Sequence, residues 1–147
     1  MKNNRTKAAV LGGTLAAGAA LALLSPASPA WAYDSDGLYL AIAVQSPATL
    51  VARGAAVDVT SDVACTSGHS VYLDTSLKER VGSRIVSGSG YIHLTCTGSL
   101  QRVVVRVIPG SGTPFARGTA VATANIYGCV GTICGQEMDD TTIEITK

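Results

Sequence analysis

The chain of 147 residues carries eleven basic and ten acidic side chains, for a formal net charge of +1, and 5% of its residues are aromatic. Nucleic-acid binding needs a clearly positive domain or a basic stripe, and this sequence has neither. A chain of this length, with 47% hydrophobic residues, is long enough to bury one core. The composition predicts one globular domain with no nucleic-acid partner.

Residues 1–32 follow the order of a secretory signal peptide. Three basic residues stand among the first seven, residues 8–24 carry no charge, and the segment ends in the small-residue pattern AWA. The uncharged run is short and rich in weakly hydrophobic alanine and glycine, which favours a cleaved signal over a membrane anchor. We expect cleavage after Ala32. The mature protein is then a secreted, extracellular single domain, residues 33–147, with eight basic and ten acidic residues and no transmembrane segment.

The mature sequence alternates between apolar and polar residues with a period of two. In residues 55–66, three valines and Cys65 fall at odd positions, while Asp58 and Asp62 fall at even positions. The same pattern marks six further segments: 38–44, 71–77, 91–96, 101–107, 119–127 and 141–145. Turn-forming residues separate them, including a loose turn at residues 87–90. This organisation predicts an all-β fold, namely an antiparallel immunoglobulin-like β-sandwich.

The four cysteines predict two disulfides. Export places them in an oxidising compartment, where an even number of cysteines in a small domain normally forms bridges. Four cysteines allow three pairings. Cys65 and Cys96 each share the buried face of a different strand, so we predict that they pair across the core. Cys129 and Cys134 then pair with each other and fix the shape of a short loop.

The stretch GCVGTICGQEMDD, residues 128–140, places two cysteines just before three acids. A redox dithiol favours C-x-x-C at a helix start, whereas four residues intervene here, and structural zinc would need further ligands such as the two histidines. Calcium would find oxygen ligands in Glu137, Asp139 and Asp140. Their alternating spacing before a strand instead predicts a solvated acidic rim. We predict no metal and no cofactor.

Catalytic arrangements are not indicated either. The chain has two histidines, of which His93 is predicted to point outward from a strand and His69 to lie in an exposed loop. No G-x-S-x-G motif occurs. A carboxylate pair such as Asp74 and Glu79 reads as outward strand and turn residues rather than as a sugar-cleaving site. We predict no catalytic residues and no enzyme activity.

A few apolar and aromatic side chains are predicted to lie at one end or on an outer face of the fold. Phe115, the single phenylalanine, is expected to close one end of the fold. Tyr91 and Tyr127 are predicted to point outward, where tyrosines stack across strands or meet a ligand. Val104 and Ile108 lie opposite the apolar face of their strand, which predicts that this strand is covered on both sides, either within a central sheet or by a partner.

The stretches CTSGHSVYLDTSLKERVG and CTGSLQRVVVRVIPGSGTPFARGTAVATANIYGC, with the closing DDTTIEI, resemble a family of small secreted actinobacterial proteins grouped as a domain of unknown function. The resemblance covers residues 65–145 and implies no catalytic residue. The late C-x-x-x-x-C is also similar to that of the enediyne chromoprotein apoproteins, the neocarzinostatin family, which are secreted two-disulfide sandwiches that carry a small molecule. In that family the other bridge closes a much shorter loop.

These observations favour a secreted, non-catalytic β-sandwich module that binds another protein or cell-envelope material. Two alternatives stay open. A small-molecule carrier would show a concave apolar pocket, and a secreted protease inhibitor would present a protruding, ordered loop. The bridged segment Val130 to Ile133 is the candidate for such a loop. The sequence identifies no ligand-binding residue for any of the three.

Overall fold

The computed structural model describes residues 37–110 and 112–147, which form an all-β domain. The predicted signal peptide lies outside the described residues and stays a prediction. The strands are β1 (Leu40–Val44), β2 (Ala48–Val51), β3 (Ala56–Cys65), β4 (Ser70–Val81), β5 (Arg84–Thr95), β6 (Gln101–Pro109), β7 (Gly118–Val130) and β8 (Ile133–Thr146). A short 3-10 turn, Ala52–Gly54, joins β2 to β3. In the described part of the chain, no helix is long and apolar enough to cross a membrane.

The strands form one sheet that closes on itself. Its order is β1-β3-β2-β8-β7-β4-β5-β6, and β3 pairs in addition with β6, so β2 to β8 make a closed ring of seven strands. β1 and β2 share one edge of β3: β1 pairs with Ser61–Cys65 and β2 with Ala56–Asp58. Every pairing is antiparallel except the short one between β2 and β8. The all-β class is confirmed, whereas the pairing shows a closed sheet and does not establish an immunoglobulin-like sandwich.

Alternate residues of the strands point into the ring and form two hydrophobic clusters. The first includes Val57, Leu77 and Phe115, and the second includes Val63 and Leu73. Along β3 and β4, the fully buried Ser61 and Thr75 lie between the residues of the two clusters. The period of two predicts these inward faces correctly because successive side chains of a strand point to opposite sides of a sheet.

The predicted turn at residues 87–90 is wrong. Gly88 and Gly90 lie inside β5, and the actual turn is at Gly82, where Val81 pairs with Arg84. A Cβ atom at either glycine of β5 would collide with the main chain of β6. These glycines are therefore required by the close approach of a neighbouring strand, not by a bend. The sequence analysis also missed β2, which is only four residues long.

Glu79 is buried, not at an outward or turn position as predicted. Its side chain is on the inner face of β4, and Oε2 accepts a hydrogen bond of 2.9 Å from the backbone N–H of Ala116. The adjacent Phe115 is 2% exposed and donates its backbone N–H to the carbonyl of Gly54 at 2.9 Å. Phe115 thus packs in the first cluster, as a core residue, and its closing of one end of the fold stays a prediction.

Candidate functional site

The long disulfide links two strands that are not neighbours in the sheet. Cys65, the last residue of β3, is bonded to Cys96, which directly follows β5, and β6 lies between these strands. Both cysteines are buried in the second cluster. The backbone N–H of Cys96 donates to the carbonyl of His69 at 2.8 Å, so the loop before β4 is held at the same place. This is the pairing across the core that the sequence predicts.

The short disulfide closes a hairpin. Cys129 on β7 is directly opposite Cys134 on β8, with a Cα–Cα distance of 4.0 Å, and Val130 pairs with Ile133 across the turn. The turn therefore contains two residues, with Gly131 at a positive φ of 60°. The predicted pairing is present, but the segment is the tip of a hairpin. It offers no extended stretch of the kind that a protease cleft binds.

The acids after this hairpin lie within β8 and not ahead of a strand as predicted. Glu137 and Asp139 share the inner, half-buried side, and Asp139 Oδ2 accepts a 2.7 Å hydrogen bond from the N–H of Val44 in β1. Only Asp140 is on the exposed side. The predicted solvated rim is thus wrong for two of the three acids. Among residues 37–110 and 112–147, no group of three or more His, Cys, Asp or Glu is placed to hold a metal ion.

The outer face of the sheet carries a cluster that we call the aromatic patch, formed by Tyr72, Tyr91, His93 and Tyr127. The register places Tyr72 of β4 between His93 of β5 and Tyr127 of β7, in one row across three strands. Tyr91 lies two residues from His93 on the same side of β5. Three of the five tyrosines in the chain thus meet on one surface.

The side chains of the aromatic patch are exposed and held in place. Tyr91, Tyr72 and Tyr127 are 75%, 52% and 44% exposed. The rings of Tyr72 and His93 meet edge to face, with centroids 3.5 Å apart and an interplanar angle of 82°. The hydroxyl of Tyr127 is 3.1 Å from Cys129 Sγ, so the short disulfide borders the patch.

Polar side chains interleave with these rings. In the row next to His93, Tyr72 and Tyr127, the register aligns Tyr91 with Asp74 of β4, Asn125 of β7 and Met138 of β8. Gln136 of β8 extends the first row beyond Tyr127. Carboxylate and amide groups beside ring faces supply hydrogen-bond acceptors and donors next to an apolar surface.

Sequence periodicity predicted the outward direction of Tyr91, Tyr127 and His93 correctly. It did not reveal that Tyr72 unites them, because their adjacency depends on strand register between segments up to 55 positions apart. His69, which was predicted to be exposed, is half-buried in the loop before β4. The structure therefore separates the two histidines between a loop and the aromatic patch.

A different outer surface, which we call the ion-paired face, lies on β3 and β6. Arg106 donates to both carboxylate oxygens of Asp58 at 2.7 and 2.8 Å, and Arg102 donates to Asp62 at 2.9 and 3.2 Å. The hydrogen bond from Arg106, followed by its charge, lowers the pKa of the Asp58 carboxyl. Val104, between the two pairs, is 52% exposed.

Ile108, the other outward apolar residue of β6, is 60% exposed. In the described structure, neither Val104 nor Ile108 is covered by another strand. Coverage of this face by the rest of the sheet is therefore wrong, whereas coverage by a partner stays a prediction. The apolar side chains of this face are separated by paired charges, whereas those of the aromatic patch are contiguous.

No protein-family model matches the chain, and no curated protein matches it. A solved structure that it resembles is AggA, the major subunit of aggregative adherence fimbriae type I from Escherichia coli. The two share 15% identity with a TM-score of 0.39, over 78% of this chain and 98% of that chain. Similarity at this level supports no inference about function. The resemblance to secreted actinobacterial proteins stays a prediction.

Proposed function

We propose that the protein is a secreted, non-catalytic module that binds cell-envelope material through the aromatic patch. The observation that carries the proposal is the convergence of Tyr72, Tyr91 and Tyr127 with His93 on one exposed surface. Large aromatic side chains provide much contact area at a low cost in conformational entropy. An exposed cluster of this kind in a domain with few aromatic residues favours a binding role.

The framework around the aromatic patch supports the same proposal. The patch lies near one end of the long antiparallel strands β4, β5, β7 and β8, and the pairings of β5 with β4, β4 with β7 and β7 with β8 each extend over most of the strand length. The two disulfides suit an oxidising, extracellular setting. A rigid surface loses little conformational entropy when it binds, so this entropy cost offsets less of the favourable contact energy. An immunoglobulin-like packing of the closed sheet remains part of this proposal.

Sedimentation with cell envelopes tests the proposal. Purified secreted protein is mixed with washed envelopes from the producing cells, and the fraction in the pellet is measured over a range of envelope concentrations. We expect saturable binding that falls at least tenfold in the variant Tyr72→Ser/Tyr91→Ser/Tyr127→Ser, since the loss of each ring removes contact area. The matched control Val104→Ser/Ile108→Ser changes exposed apolar residues of the ion-paired face and should bind normally.

Circular dichroism and thermal unfolding of all three proteins check that the substitutions leave the fold intact. Equal sedimentation of the folded tyrosine variant and the unchanged protein would contradict the proposal, as would the absence of any envelope binding. The carrier and inhibitor alternatives remain predictions that none of the contacts described above supports. Native mass spectrometry of the secreted protein tests the carrier directly, because a bound compound adds its mass.

A further inference from the structure

We infer that the aromatic patch takes a neutral polysaccharide chain, which lies across the strands along the row His93, Tyr72, Tyr127 and Gln136. This inference rests on the proposed function and names the chemical class of its ligand. Four features of the described residues carry it: the spacing of the strands that bear the row, the polar groups beside the rings, the local charge and the limited area of the exposed tyrosines.

The spacing of the row suits a repeating polymer. Its members stand on the adjacent strands β5, β4, β7 and β8, and neighbouring strands in a sheet are about 4.8 Å apart. This step is close to the advance of one sugar residue along an extended polysaccharide. Successive sugars can therefore meet successive strands of the row, with the contacting rings of Tyr72 and His93 forming one stacking position and Tyr127 the next.

The polar groups of the patch can hydrogen-bond to a sugar, whose hydroxyls lie around the edge of its ring. Asp74 and Asn125 occupy the row beside Tyr72 and Tyr127, and Gln136 ends the aromatic row. Carboxylate oxygens accept hydrogen bonds from hydroxyls, and side-chain amides both accept and donate them. Asp74 has no hydrogen bond or ion pair to another described residue, so its oxygens are available to a ligand.

The local charge excludes an anionic polymer. Neither row of the patch contains a lysine or arginine, and the nearest basic residue on the outer face of β4 is Lys78, two outward positions beyond Asp74. Asp74 and the exposed Asp140 make this part of the surface acidic. Phosphate- or carboxylate-bearing chains would be repelled, whereas an uncharged chain would not.

The area of the surface argues against a folded protein as the ligand. The exposed parts of Tyr72, Tyr91 and Tyr127 amount to roughly 300–400 Å², since a whole tyrosine presents about 150–250 Å². A stable protein interface needs about 800 Å² from each partner, so a folded protein would have to extend well beyond these three rings. Polysaccharide binding is instead satisfied by a few stacked sugars, and its affinity grows when many copies bind along one polymer.

Binding to purified polymers tests the inference. The secreted protein is mixed separately with the uncharged polymers cellulose and chitin and with peptidoglycan sacculi, whose stem-peptide carboxylates make them an anionic comparison, and the bound fraction is measured by depletion. We expect binding to cellulose or chitin and not to the sacculi, at least a tenfold loss in Tyr72→Ser/Tyr127→Ser, and a smaller loss in Asp74→Asn. The control Val104→Ser/Ile108→Ser should bind as the unchanged protein does. High salt should leave the binding largely intact, because stacking is not screened.

A parallel measurement uses envelopes treated with a protease, to remove proteins, and separate envelopes treated with glycan-cleaving enzymes. If the protein binds untreated envelopes but loses this binding after protease treatment, the ligand is a protein, and the inference is overturned while the proposed function stands. If the protein binds neither cellulose nor chitin, and its binding to envelopes survives treatment with glycan-cleaving enzymes, the inference is also overturned. The absence of envelope binding altogether would instead contradict the proposed function itself.

Discussion

The aromatic patch and the ion-paired face use the outward positions of the same closed sheet in opposite ways. On β3 and β6, each carboxylate binds the guanidinium directly across from it, so Asp58 and Asp62 already have their partners. On β4, β5 and β7, the rings of Tyr72 and His93 contact each other, but the tyrosines remain widely exposed and Asp74 beside them is unpaired among the described residues. The comparison teaches that exposure alone does not indicate a binding site. Exposed side chains whose hydrogen-bonding groups and ring faces have no partner within the protein indicate one.

The largest expected effect comes from the long disulfide, because it connects the strand of one surface to the strand of the other. β3 carries Asp58 and Asp62, and β5 carries Tyr91 and His93. Replacing Cys65 and Cys96 by alanine should lower the free energy of unfolding by about 3–4 kcal/mol, from the loss of a closed loop of 31 residues. Urea unfolding followed by circular dichroism measures it. A loss below about 1 kcal/mol would show that chain pairing alone holds the two surfaces together.

The second effect concerns the contact between β5 and β6, where the two surfaces adjoin. In Gly90→Ala, the new methyl group would meet the backbone oxygen of Arg106, and relief of this collision should cost about 2–3 kcal/mol. Gly110→Ala is the matched control, since its Cβ would be 3.7 Å from the carbonyl of Ser87 in ordinary contact. Thermal unfolding of both variants checks this. Equal melting temperatures would contradict the close approach of the strands.

The third effect separates stability from binding in the aromatic patch. Cys129→Ser/Cys134→Ser should lower the free energy of unfolding by about 2 kcal/mol, because the bridge closes a loop of only five residues. Tyr127 is next to this bridge, so polymer binding should weaken more than in the Cys65→Ala/Cys96→Ala protein under folding conditions. Urea unfolding and polymer depletion measure the two quantities. Unchanged polymer binding would show that the hairpin does not position Tyr127.

The smallest effect is expected from one ion pair. Asp58→Asn should cost at most about 1 kcal/mol at neutral pH, since the Arg106 side chain is 61% exposed and solvent screens the pair. The pKa of Asp58 is lower in the folded protein, so the pair stabilises above the ordinary carboxyl pKa of about 4 and this contribution is lost as the pH falls through the folded value.

The variant and the unchanged protein should therefore converge in stability at pH values below the lowered pKa of Asp58 in the folded protein. Asp74→Asn is the matched control from the aromatic patch, where the described residues provide no ion pair to lose. Urea midpoints at a series of pH values give the comparison. A constant difference between Asp58→Asn and the unchanged protein at every pH would contradict the role of the carboxylate charge.

The sequence predicted the faces of strands better than their limits. Alternation correctly assigned Val57 and Leu73 to the interior and Tyr91 to the exterior, because the direction of a strand side chain is a local property. It failed at Gly88 and Gly90, which are small because the main chain of β6 lies against them. It also failed at Glu79, whose buried carboxylate accepts a hydrogen bond from a backbone N–H 37 positions away.

The candidate site was predictable only in its parts. The two disulfides followed from the predicted export and from strand parity, and the outward positions of Tyr91 and Tyr127 followed from parity alone. The aromatic patch as a whole depends on the register of β4 with both β5 and β7, in which Tyr72 is opposite His93 and Tyr127. Register is set by turns and by core packing across the whole ring, and a local pattern contains neither.

The narrow pairing of β5 with β6 has a consequence for how the ring opens. Among the described residues, these strands pair at only two positions, Gly88 with Pro109 and Ser89 with Ile108, while every other contact around the ring except that of β2 with β8 is longer. The Cys65–Cys96 disulfide joins β3 to the end of β5 across β6 and limits how far β5 and β6 can separate. Fluctuations of the native state should therefore begin between β5 and β6, with fast amide hydrogen exchange on their facing edges. The disulfide should stop this separation before water reaches the core.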